Sequence, residues 1–159
     1  MPLIRRRLPL LALVAGLPFL AGCAGAVPVD VATNATEPVC ASVVLAAPDS
    51  LGEGLPQRDT TAQASTAWGD DDAPIVLRCG VEPLGPTTER CQSVETPGGP
   101  SIDWVVVEDD DGDWTFTTYG REPAVELHVP AEVAAERSTA FVDQLGQAVA
   151  LTEKVRSCV

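Results

Sequence analysis

The sequence is poor in positive charge, in histidine and in aromatic residues. Its 159 residues include ten lysines and arginines, with Lys154 as the only lysine, against 23 aspartates and glutamates. Because binding to a phosphate backbone needs clustered Lys and Arg, this composition excludes an ordinary nucleic-acid-binding protein. The single histidine is His128. With 45% hydrophobic residues the chain is still apolar enough to fold, and its length fits one domain.

The N-terminal region has no hydrophobic run of the length that spans a membrane. Arg5, Arg6 and Arg7 precede an uncharged run from Leu8 to Gly22, which has 15 residues, whereas a transmembrane helix needs about 20. A positive segment followed by a short apolar run is typical of a secretory signal. Its end, Leu-Ala-Gly-Cys at residues 20–23, resembles a bacterial lipobox, in which small residues precede a lipid-modified cysteine.

We therefore expect residues 1–22 to be a lipoprotein signal peptide and Cys23 to become an N-terminus acylated with palmitate or similar chains. Several acyl chains on one residue give stable anchoring, which predicts an exported protein on the outer face of the cell membrane. An ordinary secretory signal, with Cys23 lost or idle, is the alternative. Removing residues 1–22 takes away three arginines and no acid, so the formal charge changes from −13 to −16. This charge is repelled by an anionic leaflet, and the attachment must come from the lipid.

The segment after Cys23 has the composition of a linker. Residues 24–38 include Pro28, Asn34, Thr36 and Pro38, and we interpret residues 23–38 as the lipidated cysteine with a flexible tether. Residues 39–159 then form a single domain.

The sequence has five cysteines, an odd number. Assigning Cys23 to lipid leaves four, which allow three pairings, and an exported protein favours disulfides over thiols. We predict Cys79–Cys91, which closes a loop rich in proline and glycine, and Cys40–Cys158, which ties the beginning of the domain to its end. No CxxC pair accompanies the single histidine, so we predict no metal site and no cofactor.

The pattern of the remaining chain predicts an α+β domain. A short helix over residues 38–47 fits Pro38 at its first turn and Pro48 at its stop. Strands are predicted within residues 57–68, 74–79, 102–107, 114–119 and 123–129, and residues 82–100 read as an irregular excursion. A final helix carries one apolar face, formed by Phe141, Val142, Leu145, Ala148, Val149 and Thr152. The expected architecture is a two-layer sandwich, with a mostly antiparallel sheet of about five strands and two helices on one face.

The hairpin around residues 108–113 has two possible registers. A two-residue loop places Val107 opposite Phe116, and a three-residue loop places Val106 there and brings Trp104 to the face of Trp114 and Phe116. The acidic loop itself does not fit a calcium site, because an EF-hand loop starting at Asp109 would need glycine sixth and glutamate twelfth. We interpret it as a solvated turn.

The possible ligand-binding residues are aromatic residues with arginines. A tryptophan beside an arginine at a sheet edge would bind a ligand by stacking or by a bidentate hold on a carboxylate. The alternative for each tryptophan is core packing, and for Arg121 an ion pair with Glu122 or Glu126. The candidates for this site are Trp68, Arg78, Trp104, Tyr119 and Arg121, with Trp114 as a further tryptophan. No catalytic residue is predicted, because His128 lies mid-strand with no nucleophile motif beside it.

Several stretches resemble one known family, the actinobacterial domain of unknown function 3515. They are Trp68-Gly69, residues 74–80, Asp103-Trp104 and above all residues 115–125, Thr-Phe-Thr-Thr-Tyr-Gly-Arg-Glu-Pro-Ala-Val. The resemblance implies an exported, often lipid-anchored envelope protein and supplies no activity. We therefore expect a membrane-anchored binding or accessory module that contacts membrane lipid and an unknown envelope protein or small ligand. An envelope hydrolase using His128, or a purely structural protein, is the alternative.

Overall fold

A computed structural model of the protein describes residues 25–137 and 139–158. The predicted signal peptide and Cys23 lie outside these residues. Across the part that is described, no helix combines the length and the apolar character needed to cross a membrane.

Within residues 25–137 and 139–158 the fold is mainly β, with seven strands in one antiparallel sheet and three short α-helices. The strands of the sheet are β1 Gln57–Arg58, β2 Ser65–Trp68, β3 Ile75–Val81, β4 Cys91–Val94, β5 Ile102–Glu108, β6 Trp114–Thr118 and β8 Ala124–Val129. Their spatial order is β1-β2-β3-β8-β6-β5-β4. Outside the sheet, β7 Arg121–Glu122 pairs with β9 Glu153–Lys154. The helices are α1 Pro38–Ala46, α2 Ala131–Glu136 and α3 Gly146–Val149, and a 3₁₀ helix covers Thr139–Leu145.

The sheet has an apolar face and a polar face, as the alternation in β8 shows. Val125, Leu127 and Val129 are fully buried, while Glu126 and His128 between them are half-buried on the opposite face. Both α1 and α3 cover the apolar face, where α1 contacts β3 and α3. The core therefore lies between this face and the helices, as expected for two layers.

The expected number of about five strands is too low. The prediction merged β1 and β2 into one segment, although they form a hairpin with Gln57 opposite Trp68. It also missed β4, because residues 82–100 contain prolines and glycines that mask a four-residue strand. β4 pairs with β5 and forms one edge of the sheet, and β1 forms the other.

The central hairpin adopts the register of the three-residue loop. Val106 is opposite Phe116, and Trp104 lies on the face of Trp114 and Phe116, with an edge-to-face contact between Trp104 and Phe116 at 6.4 Å. Gly112 has φ +87°, as the last residue of such a loop requires. The carboxylate of Asp109 accepts hydrogen bonds from the backbone N–H of Asp111 and Asp113, both at 3.0 Å.

The predicted C-terminal helix is broken into three pieces. The chain is extended at Arg137, between α2 and the 3₁₀ helix. Gly146 packs tightly on Thr96, so that a Cβ at this position would lie 1.6 Å from the Thr96 hydroxyl oxygen. The buried residues Phe141, Leu145 and Val149 still face the core, which confirms the apolar face and corrects the continuous helix.

Most of the predicted flexible tether is part of the domain. Val27 pairs with the turn after β1, donating to the Asp59 carbonyl at 2.8 Å and accepting from the Thr61 N–H at 2.9 Å. Further along, the Asn34 N–H donates to the carbonyl of Gly80 at 2.7 Å. Val27, Ala32 and Ala35 are buried. The tether prediction is therefore wrong from Val27 onward, because a linker-like composition gives no signal for these backbone hydrogen bonds to distant residues.

The disulfides join other partners than predicted. Cys40 of α1 is bonded to Cys79 of β3, and Cys91 of β4 is bonded to Cys158 of the C-terminal tail. The predicted Cys79–Cys91 bond is excluded because β3 and β4 are four strand positions apart, which is about 19 Å at the usual strand spacing, and bonded cysteines need Cα atoms within about 7 Å. The predicted Cys40–Cys158 bond fails with it, since both cysteines have other partners.

Candidate functional site

Two of the predicted ligand-binding tryptophans belong to the core. Trp68 and Trp104 are both 0% exposed. The Trp68 indole N–H donates to the Pro48 carbonyl at 2.8 Å. The Trp104 indole N–H is buried without a hydrogen-bond partner among the described residues. Neither ring can meet a ligand from solvent, so the predicted stacking platform at these residues is wrong.

Arg121 is also buried and serves the C-terminal tail. Its guanidinium Nη1 donates to the Thr152 carbonyl at 2.7 Å, and the residue is 5% exposed. Burial lowers the pKa of the Arg121 guanidinium, and the nearby Asp103 carboxylate raises it in part. Asp103 is itself buried and accepts from the Cys158 N–H at 3.2 Å, with Lys154 Nζ 3.7 Å away. These groups hold residues 152–158 on the domain, and the expected partners Glu122 and Glu126 do not pair with Arg121.

Arg78 and Tyr119 lie apart from one another. Arg78 donates two hydrogen bonds to the same carboxylate oxygen of Glu126, from Nη2 at 2.6 Å and from Nε at 3.1 Å. This pair lies across β3 and β8 on the polar face. Tyr119 is half-buried at the end of β6, where its backbone N–H donates to the Asp103 carbonyl. The structure therefore does not unite the five predicted residues in one site.

The remaining tryptophan lines an open cleft, which we call the Trp114 cleft. Trp114 is half-buried and stacks on Phe116, with ring centroids 6.2 Å apart and planes at 25°. The cleft has a volume of about 500 Å³. Its wall and rim comprise Ala131, Ala134, Ala135, Glu108 and Arg137. An aromatic ring, small apolar walls and two opposite charges at the rim are the parts of a ligand site.

Helix α2 forms one side of the Trp114 cleft. None of its six residues is buried, although Val133 and Ala134 pack against the core. The start of α2 is attached to the β5–β6 hairpin, because the Ala131 N–H donates a hydrogen bond to the Asp113 carboxylate at 2.8 Å. Arg137 after its end donates from Nη1 to the Glu53 carbonyl at 2.8 Å. Sequence reasoning missed this wall because it treated α2 as part of a longer core helix.

His128 lies in a neighbouring cleft of about 470 Å³. Its Nε2 is 3.4 Å from an oxygen of the Asp113 carboxylate. The other lining residues in the described part of the chain include Val76, Pro74 and Glu132, and none of them carries a hydroxyl or a thiol. Among the described residues, the cleft thus has an imidazole with a carboxylate beside it and no hydroxyl or thiol nucleophile.

A further cavity, of about 700 Å³, lies at the β1 edge of the sheet. Gly25, Leu45 of α1 and Arg58 of β1 are among its lining residues. Arg58 is ion-paired with Asp71, and its Nη2 donates to the Gly25 carbonyl at 3.1 Å. Leu45 is 86% exposed, the highest value among the exposed large hydrophobic residues of the described chain.

No cluster of three or more His, Cys, Asp or Glu side chains suited to a metal ion occurs within residues 25–137 and 139–158. In the acidic turn, the Asp109 carboxylate is engaged by backbone N–H groups instead. Asp109 is therefore a turn-forming residue, because its carboxylate accepts hydrogen bonds from the backbone of the same turn.

Comparison with known proteins gives one family. The model of a family described as Protein of unknown function (DUF3515) matches residues 10–157, and this confirms the family resemblance carried by residues 68–125. None of the curated proteins and none of the solved structures matches the chain.

Proposed function

Because the chain belongs to the family described as Protein of unknown function (DUF3515), we propose a function from its residues: an exported lipoprotein that binds an envelope ligand in the Trp114 cleft. The anchor is the acylated Cys23, and the domain acts as a binding or accessory module without catalysis of its own. The observation that carries the binding role is that half-buried Trp114 and exposed Arg137 line one open cleft, whereas Trp68 and Trp104 are fully buried in the core.

The disulfides support export. All four cysteines after Cys23 are paired, and stable disulfides form in oxidising compartments outside the cytoplasm. The pairing also accounts for the odd cysteine number, because Cys23 is left for the lipid. The lipobox-like sequence and the disulfides thus both support a location outside the cytoplasm.

The chemistry of the cleft limits the class of ligand. The Trp114 ring and the alanine walls favour a flat apolar or aromatic group, and the Arg137 guanidinium at the rim favours a carboxylate or phosphate. Glu108 on the same rim disfavours a second negative charge. We therefore propose a ligand, or an exposed partner segment, that presents one apolar group beside one anionic group.

Affinity capture from detergent-solubilised membranes tests this role. Wild type, Trp114→Ala, Arg137→Ala and the control Leu151→Ala are compared, since Leu151 is exposed outside the cleft. We expect one component to be retained by wild type and control and lost with both cleft variants, because buried Trp and Arg anchors each contribute about 2 kcal/mol or more. Identical recoveries from all four proteins would contradict the proposal. Arg137 is exposed, so its variant remains informative if Trp114→Ala folds poorly.

A hydrolase centred on His128 is the second candidate, and the Asp113 carboxylate 3.4 Å from its Nε2 is the observation in its favour. The lack of a hydroxyl or thiol among the described residues lining that cleft argues against a mechanism with a serine, threonine or cysteine nucleophile. This candidate predicts that His128→Ala abolishes hydrolysis of the captured component while leaving its retention unchanged, and hydrolysis at the wild-type rate in this variant would contradict it.

A further inference from the structure

The N-terminal segment leaves the domain at one defined place. Gly25 accepts a hydrogen bond from Arg58, and two residues later Val27 is held by two backbone hydrogen bonds to the turn after β1. Cys23 and Gly25 are two positions apart in the sequence, which corresponds to at most about 7 Å even for a fully extended chain. Whatever is attached to Cys23 is therefore close to the β1 edge.

This short reach replaces the long tether that the composition suggested. A tether of fifteen residues would let the domain rotate freely, whereas Val27 is buried and only four residues beyond Cys23, a span of at most about 14 Å. A domain held that closely cannot turn every surface toward the bilayer. The surface around Gly25 has to face it.

The exposed apolar residue on this surface is Leu45. It lines the same cavity as Gly25, at the end of α1, and is 86% exposed. Arg58 in this cavity is neutralised by Asp71, and Asp49 and Asp59 are exposed nearby. These two aspartates favour a position of this surface at the level of the lipid headgroups, because an anionic membrane repels deeper insertion of negative charge. Leu45, which is exposed and apolar, is the side chain suited to enter the lipid.

We propose that the β1 edge is the membrane-facing surface of the protein and that the side chain of Leu45 lies at the boundary between headgroups and acyl chains. The inference rests on the proposed acylation of Cys23. The partner is the lipid surface itself, because the acyl chains are attached to Cys23, which is within about 7 Å of Gly25. A bilayer contact of one leucine adds little to the affinity of several acyl chains. Its role is to fix the orientation of the domain.

Quenching by brominated lipid measures this orientation. The acylated protein is reconstituted into phosphatidylcholine vesicles with and without bromine near the headgroup end of the acyl chains. Leu45→Trp is compared with the matched control Leu151→Trp. Leu151 is also exposed and precedes Thr152, whose carbonyl accepts a hydrogen bond from Arg121. The wild-type emission of the three native tryptophans is subtracted from both signals. Position 45 is so exposed that the substitution leaves the core intact.

We expect the brominated lipid to reduce the emission of the tryptophan introduced at position 45 and to leave that at position 151 unchanged. Acylated protein that floats with the vesicles but shows equal quenching at both positions, or none at position 45, overturns the proposed orientation. Absence of the acyl mass on Cys23, with no flotation, overturns the proposed anchoring instead. The two failures are therefore distinguishable.

Discussion

Arg121 shows how a residue that suggests ligand binding can be structural. A lone arginine between glycine and glutamate, close to a tyrosine, has the composition of a binding site, yet its guanidinium is buried against the carbonyls of the C-terminal tail. The sequence carries no signal for this, because Thr152 is 31 residues away and only the fold brings it near. Trp68 and Trp104 are similar cases, in which the core-packing alternative proved correct.

Replacing Arg121 is expected to destabilise the domain. In Arg121→Met the buried carbonyl of Thr152 loses its donor and Asp103 loses a nearby positive charge, at a cost of about 3 kcal/mol. Urea unfolding measures this loss, with Arg137→Met as the matched control, because Arg137 is exposed and its change is expected within about 0.5 kcal/mol. Equal stability of Arg121→Met and wild type would contradict the structural role.

At the scale of secondary-structure elements, the sequence predicted the helices and strands that are determined by nearby residues. Helix α1, the hairpin of β5 and β6, and strand β8 follow from proline positions and β-branched runs, and they are present. The hairpin register could not be settled from the sequence, because it depends on which face Trp104 buries. Strand β4 and the break in the C-terminal helix could not be predicted, since each depends on a distant partner: β5 for β4, and Thr96 for Gly146.

The disulfides lie in different environments, and this predicts the order in which they are reduced. Cys40 and Cys79 are 0% exposed, whereas Cys91 and Cys158 are half-buried. Because a thiolate must reach the sulfur it attacks, mild reductant is expected to open Cys91–Cys158 first. Alkylation of the new thiols followed by peptide mass spectrometry measures the order. Earlier labelling of Cys40 and Cys79 would be the opposite result.

Each disulfide also contributes to stability through the loop that it closes. The separations of 39 and 67 residues correspond to about 4 kcal/mol each in the chain-entropy account. The first bond fixes α1 on the sheet, and the second fixes the C-terminal tail on the edge strand β4. The two bonds therefore act on opposite halves of the sheet, one at β3 and the other at β4.

At the scale of the whole molecule, the sheet separates the anchor from the Trp114 cleft. β6 lies four strand positions from β1, which is about 19 Å at the usual spacing. With the β1 edge on the bilayer, the cleft is held above the lipid surface and open to a ligand in the surrounding compartment. The fold thus serves both proposals, since one edge contacts lipid and the interior strands carry the site.

The compartment and the attachment are predictions from the first 23 residues, whereas the position of the Trp114 cleft is known only from the structure. The lipobox-like end of the signal is a contiguous pattern, whereas the Trp114 cleft combines residues from the β5–β6 hairpin and from α2. Only the packed fold brings Arg137 near Trp114. The candidate site could therefore be identified only in the structure, although the sequence had already marked Trp114 as a candidate ligand-binding tryptophan.

The central claim is an exported, acylated protein whose other cysteines are all paired, and the intact mass of the protein extracted from membranes tests it most directly. We expect the mass of residues 23–159 with fatty-acyl modification and four fewer hydrogens than the reduced chain, since two disulfides are formed. A chain without the acyl mass, one that keeps residues 1–22, or one with four free thiols would contradict the account.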